Sequence, residues 1–352
     1  MNPKDQMILD EYHDNQQDFK QLKTIVDSKL KKIVDENNIL PMQLESRIKT
    51  KDSLKGKLFL KGEKYKTLSD ITDIFGTRVV CFFKDEVYQI SANIQENFVI
   101  DWDNSIDKST VLSEDAFGYL SVHYVCSLKP SEYPQSLSNI RFEIQLRSGL
   151  QHIWAAINHE TTYKSEFDVP REIKRSLSRL AGLLELADDE FLRVRDEMIH
   201  YGEDTRQKIL NNEANDVQIN AVSLKEYMLG NKEMRRFLNE LAAIEGSEIS
   251  DIAPDAYLDQ LKWFGMKTLG DVQDMLIRDE QLALHLANKA LSGSELDILA
   301  SNVGLRYLCR AELLNRGYDL EKISDFMNIA YGDKERSAKQ AQKLLDIYDS
   351  LK

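Results

Sequence analysis

At 352 residues, with 42% hydrophobic and 30% charged side chains, the chain has an ordinary globular composition and length enough for two domains. No run approaches the roughly twenty apolar residues of a membrane-spanning helix, and the start is polar with no apolar secretory segment, so a cytoplasmic protein is expected. The formal net charge of −13 excludes a globally basic nucleic-acid surface, and Cys81, Cys126 and Cys309 lack the spacing of a metal finger or redox motif.

Residues 8–37 carry Ile8, Tyr12, Phe19, Leu22, Ile25, Val26, Leu30, Ile33 and Val34 on a helical period, which predicts one amphipathic helix ended before Pro41. A basic segment follows. Between Arg47 and Lys66 eight basic residues face two acids, Asp52 and Glu63, and the spacing predicts a helix over 53–60. The β-branched and aromatic run at 77–83 predicts a buried central strand. A helix over 85–96 and a short strand over 98–102 come next. The reverse charge bias marks 96–115, with six acids and only Lys108.

Two alternating strands are predicted over 119–128 and 140–147. In the second, Phe142, Ile144 and Leu146 share one face while Arg141, Glu143, Gln145 and Arg147 share the other. Helical periodicity returns over 150–163 and 172–199, and no strand is expected after about residue 165. The polar stretch 201–220 reads as a boundary, separating a first domain, 1–205, from a helical second domain, 221–352. Alternating strands and helices in the first domain imply a sheet with helices packed on it.

The chemistry concentrates on the strand faces. Asp73, just ahead of the run at 77–83, is placed to hold Mg²⁺, which takes one or two carboxylates together with phosphates and water. Glu143 can supply a second carboxylate or act as a base; an ion pair with Arg141 or Arg147 is the structural alternative. Neither a GxxxxGK[ST] loop nor a GxGxxG turn occurs, so P-loop and dinucleotide folds are excluded. His159-Glu160 lacks a second histidine at position 163, and His13-Asp14 stands alone. His152 and His159 share a helical face, more in keeping with packing than with catalysis, although that face can border the pocket. The segment Trp263–Gly270 resembles a tight helical hairpin, for which ordinary packing is the simpler account.

Five segments in order carry a resemblance: SRIKTKDS at 46–53, DIFGTRVV at 73–80, GYLSVH at 118–123, EIQLRS at 143–148 and HIWAAINHETTYK at 152–164. Over roughly 40–200 the chain resembles the synthetase domain of the RelA/SpoT family, the alarmone synthetases. The resemblance implies an α/β (α+β) nucleotidyltransferase-like mixed sheet flanked by helices, followed here by an all-α C-terminal domain. It implies a GTP pyrophosphokinase-type transferase that moves pyrophosphate from ATP to the 3′-hydroxyl of GDP or GTP, with Mg²⁺ as cofactor. Carried over residue by residue, Arg47, Lys49, Ser53, Lys57 and Arg78 would bind ATP and its phosphates. Asp73 and Glu143 would be catalytic and hold the metal. Tyr119, Ser121, His123, Gln145 and Arg147 would line the acceptor side.

One departure leaves the acceptor open. The family's basic stretch ahead of the Gly-Tyr pair corresponds here to 101–117, which is acidic. Adenine nucleotides or the CCA end of tRNA are alternative acceptors, as in toxin-like relatives, and an inactive nucleotide-binding protein is a further alternative. Fewer than fifty residues precede the first motif, so synthesis without an accompanying hydrolase is expected. The helical second domain is expected to restrain, sense or assemble the enzyme, with homo-oligomers and a protein or small-molecule regulator as candidate partners.

Overall fold

The fold begins with a helix that breaks. In the computed structural model, which describes residues 3–107, 121–158, 160, 170–294 and 296–351, the stripe expected as one helix forms two, α1 (Pro3–Asp14) and α2 (Gln16–Glu36). Asp14 and Asn15 at the junction are weak helix formers that compete for backbone hydrogen bonds. The break serves two cores. Ile8, Leu9, Tyr12 and Phe19 join one cluster, whereas Leu22, Val26, Leu30 and Ile33 join another.

The larger cluster lies under a mixed sheet. Its strands are β1 (Gln43–Ile48), β2 (Phe75–Cys81), β3 (Val99–Ile100), β4 (Ile106–Asp107), β5 (Val122–Ser127) and β6 (Phe142–Ser148), in the order β1-β2-β6-β5-β3, with β4 also paired to β5. Among the described residues of this sheet, β2 and β6 pair in parallel and the other pairs are antiparallel. The run expected as the central strand is β2, one place off centre; the middle belongs to β6. The edge strand β1 was not anticipated, because it is short and polar, as exposed edges commonly are.

Alternation along β6 is complete. Phe142, Ile144 and Leu146 are fully buried, and the intervening side chains are half-buried on the opposite face. The apolar face meets α2 and α4 (Lys84–Asn97), which packs on β2 and β6. Phe142 sits between the rings of Phe75 and Phe98, at 5.5 and 5.7 Å. The smaller cluster joins α1 to α3 (Lys51–Lys61) and to the loop before β2, through Leu54, Leu58, Tyr65, Leu68, Ile71 and Ile74. After β6 come α6 (Gly149–Asn158) and the long α7 (Arg171–Leu210), with the single turn α5 (Gln135–Ser138) preceding β6.

The chain divides into two units, Met1–Arg195 and Asp196–Lys352. The second has its own core, including Tyr227, Phe237, Leu261, Met275, Leu308 and Phe326. Its helices are α8 (Ala221–Gly230), α9 (Lys232–Ala243), α10 (Leu258–Trp263), α11 (Leu269–Leu291), α12 (Val303–Asn315), α13 (Leu320–Tyr331) and α14 (Lys334–Asp349). It also holds a parallel strand pair, β7 (Glu248–Ser250) and β8 (Ile298–Ala300), where no strand was expected. Three residues are too few for a two-residue period to declare itself. Trp263 stacks edge-on against Phe264, Tyr318 and Phe326, so the suspected hairpin is packing. Buried Asp279 and Glu312 are held by Arg278, Arg316 and Asn315; burial and the hydrogen bond to Glu312 push the Asp279 carboxyl up to about 6.

Replacing Phe142 tests the sheet–helix core. Phe142→Ala removes a fully buried ring between two others, and urea unfolding followed by circular dichroism should show a loss of about 3–5 kcal/mol.

Candidate active site

Strand register sets the site. Arg47 of β1 lies opposite Gly76 of β2, and Gly76 opposite Glu143 of β6. One pleat further on, Glu45, Arg78, Gln145 and His123 line up across β1, β2, β6 and β5. Because paired residues share a face, these two rows of polar side chains form the floor of a cavity. Its volume is about 170 Å³, and Glu45, Arg47, Asp73, Gly76, Thr77, Arg78, Glu143 and Gln145 line it.

Asp73 stands in the loop ahead of β2. Both of its oxygens are taken, Oδ1 by Lys57 Nζ at 2.7 Å and Oδ2 by Lys49 Nζ at 3.0 Å. Burial works against ionisation here, but the two lysines outweigh it and hold the carboxyl below the usual carboxylate range. Lys57 is likewise disfavoured by burial and yet raised overall by Asp73. Tyr12 donates its hydroxyl to the Lys49 carbonyl at 2.6 Å, tying α1 to the end of β1. Ser46 bonds to Asp27 of α2 and to Thr77 of β2 (2.7 Å), which fixes β1 beside β2.

Glu143 pairs with neither arginine of its own strand. Its Oε1 accepts from His123 Nδ1 at 2.8 Å, across to β5. With Nδ1 donating, the lone pair of His123 Nε2 faces Ser121 Oγ at 2.7 Å and an Arg147 terminal nitrogen at 3.4 Å. Arg147 also donates to Gln145 at 3.1 Å. Burial would raise the Glu143 carboxyl, but His123 prevails and lowers it, while Asp73 repels it. Arg141, expected in the same polar row, turns away to Asp101 (2.8 Å) and the Ser69 carbonyl (2.7 Å).

Of the residues singled out from the sequence, Arg47, Asp73, Arg78, Glu143 and Gln145 line the cavity. Lys49 and Lys57 reach it through Asp73, while Ser121, His123 and Arg147 form a chain leading to Glu143. Ser53 is exposed in the first turn of α3, hydrogen-bonded to Thr50, and does not line the cavity. Tyr119 and most of the acidic stretch fall outside the described residues. Glu45 was missed because β1 was not read as a strand; once it is one, period two sets Glu45 on the face of Arg47. The two acids fit a hard divalent cation: both are ionised oxygen donors on one cavity wall, and they repel one another. No group of three or more metal-ligating side chains occurs among the described residues.

The fold and site define a mixed α/β domain with a two-carboxylate, cation-lined cavity suited to a phosphorylated substrate. Residues 46–168 match the family described as "Region found in RelA / SpoT proteins". It is 26% identical over 181 residues to GTP pyrophosphokinase YwaC of Bacillus subtilis, spanning 49% of this chain and 85% of that one. It is also 26% identical over 134 residues to GTP pyrophosphokinase YjbM of the same organism, spanning 37% and 61%. Among solved structures, small alarmone synthetase 2 from B. subtilis aligns with 25% identity and a TM-score of 0.44, over 53% of this chain and 99% of that one. A GTP pyrophosphokinase family protein from Streptococcus pneumoniae aligns with 27% identity and a TM-score of 0.43, over 53% and 94%.

The lysine pair makes a titration testable. Asp73 has a depressed folded pKa, so its contribution to stability is present above the unfolded value of about 3.9 and is lost as pH falls through the lower folded value. Lys57→Met should raise the Asp73 pKa, read by carbon-13 NMR of the carboxyl, and shrink that acid-sensitive contribution.

Proposed function

We propose that the chain is a pyrophosphokinase transferring pyrophosphate from ATP to the 3′-hydroxyl of GDP or GTP. The observation that carries this reading is the single cavity in which Asp73 and Glu143 face Arg47 and Arg78. Its support from outside is that both curated relatives are GTP pyrophosphokinases. Phosphoryl-group transfer asks a protein chiefly to position groups and neutralise charge, and this cavity offers both.

In the proposed mechanism Arg47 and Arg78 receive ATP, the guanidinium planes being suited to stack on adenine and to neutralise phosphate. Lys49 and Lys57 exchange Asp73 for the polyphosphate, which frees the Asp73 carboxylate; Ser53, exposed outside the cavity, has no part in this step. Asp73 and Glu143 would hold Mg²⁺, which when bound neutralises phosphate charge. The acceptor's 3′ oxygen bonds to the β-phosphorus as the bond from that phosphorus to the bridging oxygen breaks, and AMP leaves. Glu143, with one oxygen committed to His123, offers the other to the hydroxyl proton. Ser121 and Arg147 fix the imidazole, Gln145 flanks it, and Tyr119 stacks on the acceptor base. The second unit, with its own core, is the proposed regulatory or assembly element, and a protein, a small ligand or a second copy is its proposed partner. A cytoplasmic location is part of the proposal, since ATP and guanine nucleotides are its substrates. No helix among the described residues is long and apolar enough to cross a membrane.

Incubation with ATP labelled in its terminal phosphates, offered GDP, GTP, AMP or tRNA separately, should label guanine nucleotides. Label on AMP or tRNA alone would overturn the acceptor and keep the chemistry. Glu143→Gln should slow transfer at least about a hundredfold at unchanged fold; an unaltered rate would remove Glu143 from the reaction. If the second unit restrains the first, a chain ended after Leu210 should synthesise more product per enzyme than the full chain.

A further inference from the structure

The polar sheet face continues beyond the cavity, and its far end carries donors without a partner among the described residues. Arg78 Nε, Arg147 Nε and His152 Nδ1 are each buried at the atom and have no hydrogen-bond partner among the described residues. Buried polar groups are almost always paired, so an unpaired set on one patch calls for an explanation.

The three lie together. Arg78 pairs with Gln145 and Val80 with Arg147, so the two arginines are diagonal neighbours on adjacent parallel strands and one sheet face. Helix α6 starts directly after β6, packs on both β2 and β6, and carries His152. Each group feels the others. Burial and then the Arg78 charge lower Arg147 to about 10; burial, then Arg78, then Arg147 lower His152, against a weaker raising effect from Glu45. Glu45 is the acid felt there, and its own carboxylate is engaged by Gln43 at 2.7 Å. Two guanidinium groups and an imidazole held against mutual repulsion, with buried donors free, are arranged as for an anion.

We propose that Arg78, Arg147 and His152 form a phosphate cradle, distinct from the Asp73–Glu143 end of the cavity, that binds a phosphate or pyrophosphate group. The Arg147 guanidinium stands across the His123 ring from Glu143, its terminal nitrogen 3.4 Å from Nε2 while Glu143 takes Nδ1, so a phosphate held there anchors one part of a nucleotide while another part reacts at Glu143. The same chemistry would hold free pyrophosphate. The cradle rests on the nucleotide reading of the cavity given above, and it brings one residue of the donor set and one of the acceptor set to a single anion. It also assigns His152, which that reading leaves without a task. An anion beside His152 offsets the two arginines that disfavour its protonation, so binding takes up a proton.

Isothermal titration calorimetry on the full chain can test this with three probes: α,β-methylene-ATP, GDP and inorganic pyrophosphate, with adenosine and guanosine as phosphate-free controls. Arg147→Gln should weaken at least one phosphorylated probe by about tenfold or more, leaving the matching nucleoside unchanged. The affected probe names the source of the phosphate: donor, acceptor or free anion. In buffers of different ionisation enthalpy near pH 7, wild type should take up protons on binding that probe and His152→Gln should not. Unchanged affinity for all three probes in Arg147→Gln, equal weakening of the nucleosides, or unaltered proton uptake in His152→Gln would each overturn the cradle. These outcomes are separable from the reaction itself. Label transfer to guanine nucleotides with no effect of Arg147→Gln on binding would remove the cradle alone, whereas cradle behaviour without transfer to any acceptor would remove the pyrophosphokinase reading.

Discussion

Everything at this site hangs on the parallel pairing of β2 with β6. That register sets Gly76 beside Glu143 and Arg78 beside Gln145, and because side chains alternate, it does so on the face that α2 and α4 leave open. A slip of one residue in β6 would turn Glu143, Gln145 and Arg147 into the apolar layer and expose Phe142, Ile144 and Leu146. Those three are fully buried, so the slip would forfeit their burial, at about 1.5–3 kcal/mol each, and strand charged groups besides. The apolar half of the strand therefore secures the polar half.

Within that frame each acid already has a partner. Asp73 has its two lysines and Glu143 its histidine, and in both cases burial alone would have pushed the carboxyl the other way. A buried carboxylate without a partner would protonate near neutral pH and lose its use. The partners are the kind that a polyphosphate can take over, since three phosphates carry more charge than one carboxylate and lysine ammonium groups reorient easily. The two lysines and the His123 hydrogen bond thus favour the ionised form of each acid. The Arg78–Arg147–His152 end shows the opposite state, with two guanidinium groups and an imidazole whose Nε and Nδ1 atoms have no partner among the described residues.

How far the sequence could be read follows from what its patterns encode. Alternation made β6 and its two faces legible, and helical spacing made α3 and α4 legible. The break at Asn15 was not, since a stripe of apolar residues does not say whether one core or two will receive it. Edge strand β1 was hidden by its own polarity. The partner of Glu143 shows the deeper limit. Along the strand its polar neighbours are Arg141 and Gln145, and period two can offer nothing else. His123 reaches it only because β5 lies antiparallel to β6, a fact of topology that no local pattern contains. Arg141 likewise left the polar row for Asp101, forty residues away.

The smaller core gives the site a dependence that its motifs do not suggest. Asp73 sits on a loop between buried Ile71 and Ile74, Lys57 on a helix anchored by Leu54 and Leu58, and Lys49 on a backbone tied to the Tyr12 hydroxyl. All of these anchors pack with Ile8, Leu9 and Phe19. The distances of 2.7 and 3.0 Å from the lysines to Asp73 are therefore set by how α1 and α3 pack on that loop as well as by the sheet, which Lys49 joins through its N–H bond to the Ile74 carbonyl. Helix α1 lies outside the matched segment 46–168 and contributes no polar group to the cavity lining, yet it supplies part of the wall against which the Asp73 loop rests. Tight packing transmits displacement, and hydrogen bonds to charged groups weaken steeply with distance. The N-terminal helix is therefore part of the candidate site in the only sense that positioning allows, by fixing where the first carboxylate stands.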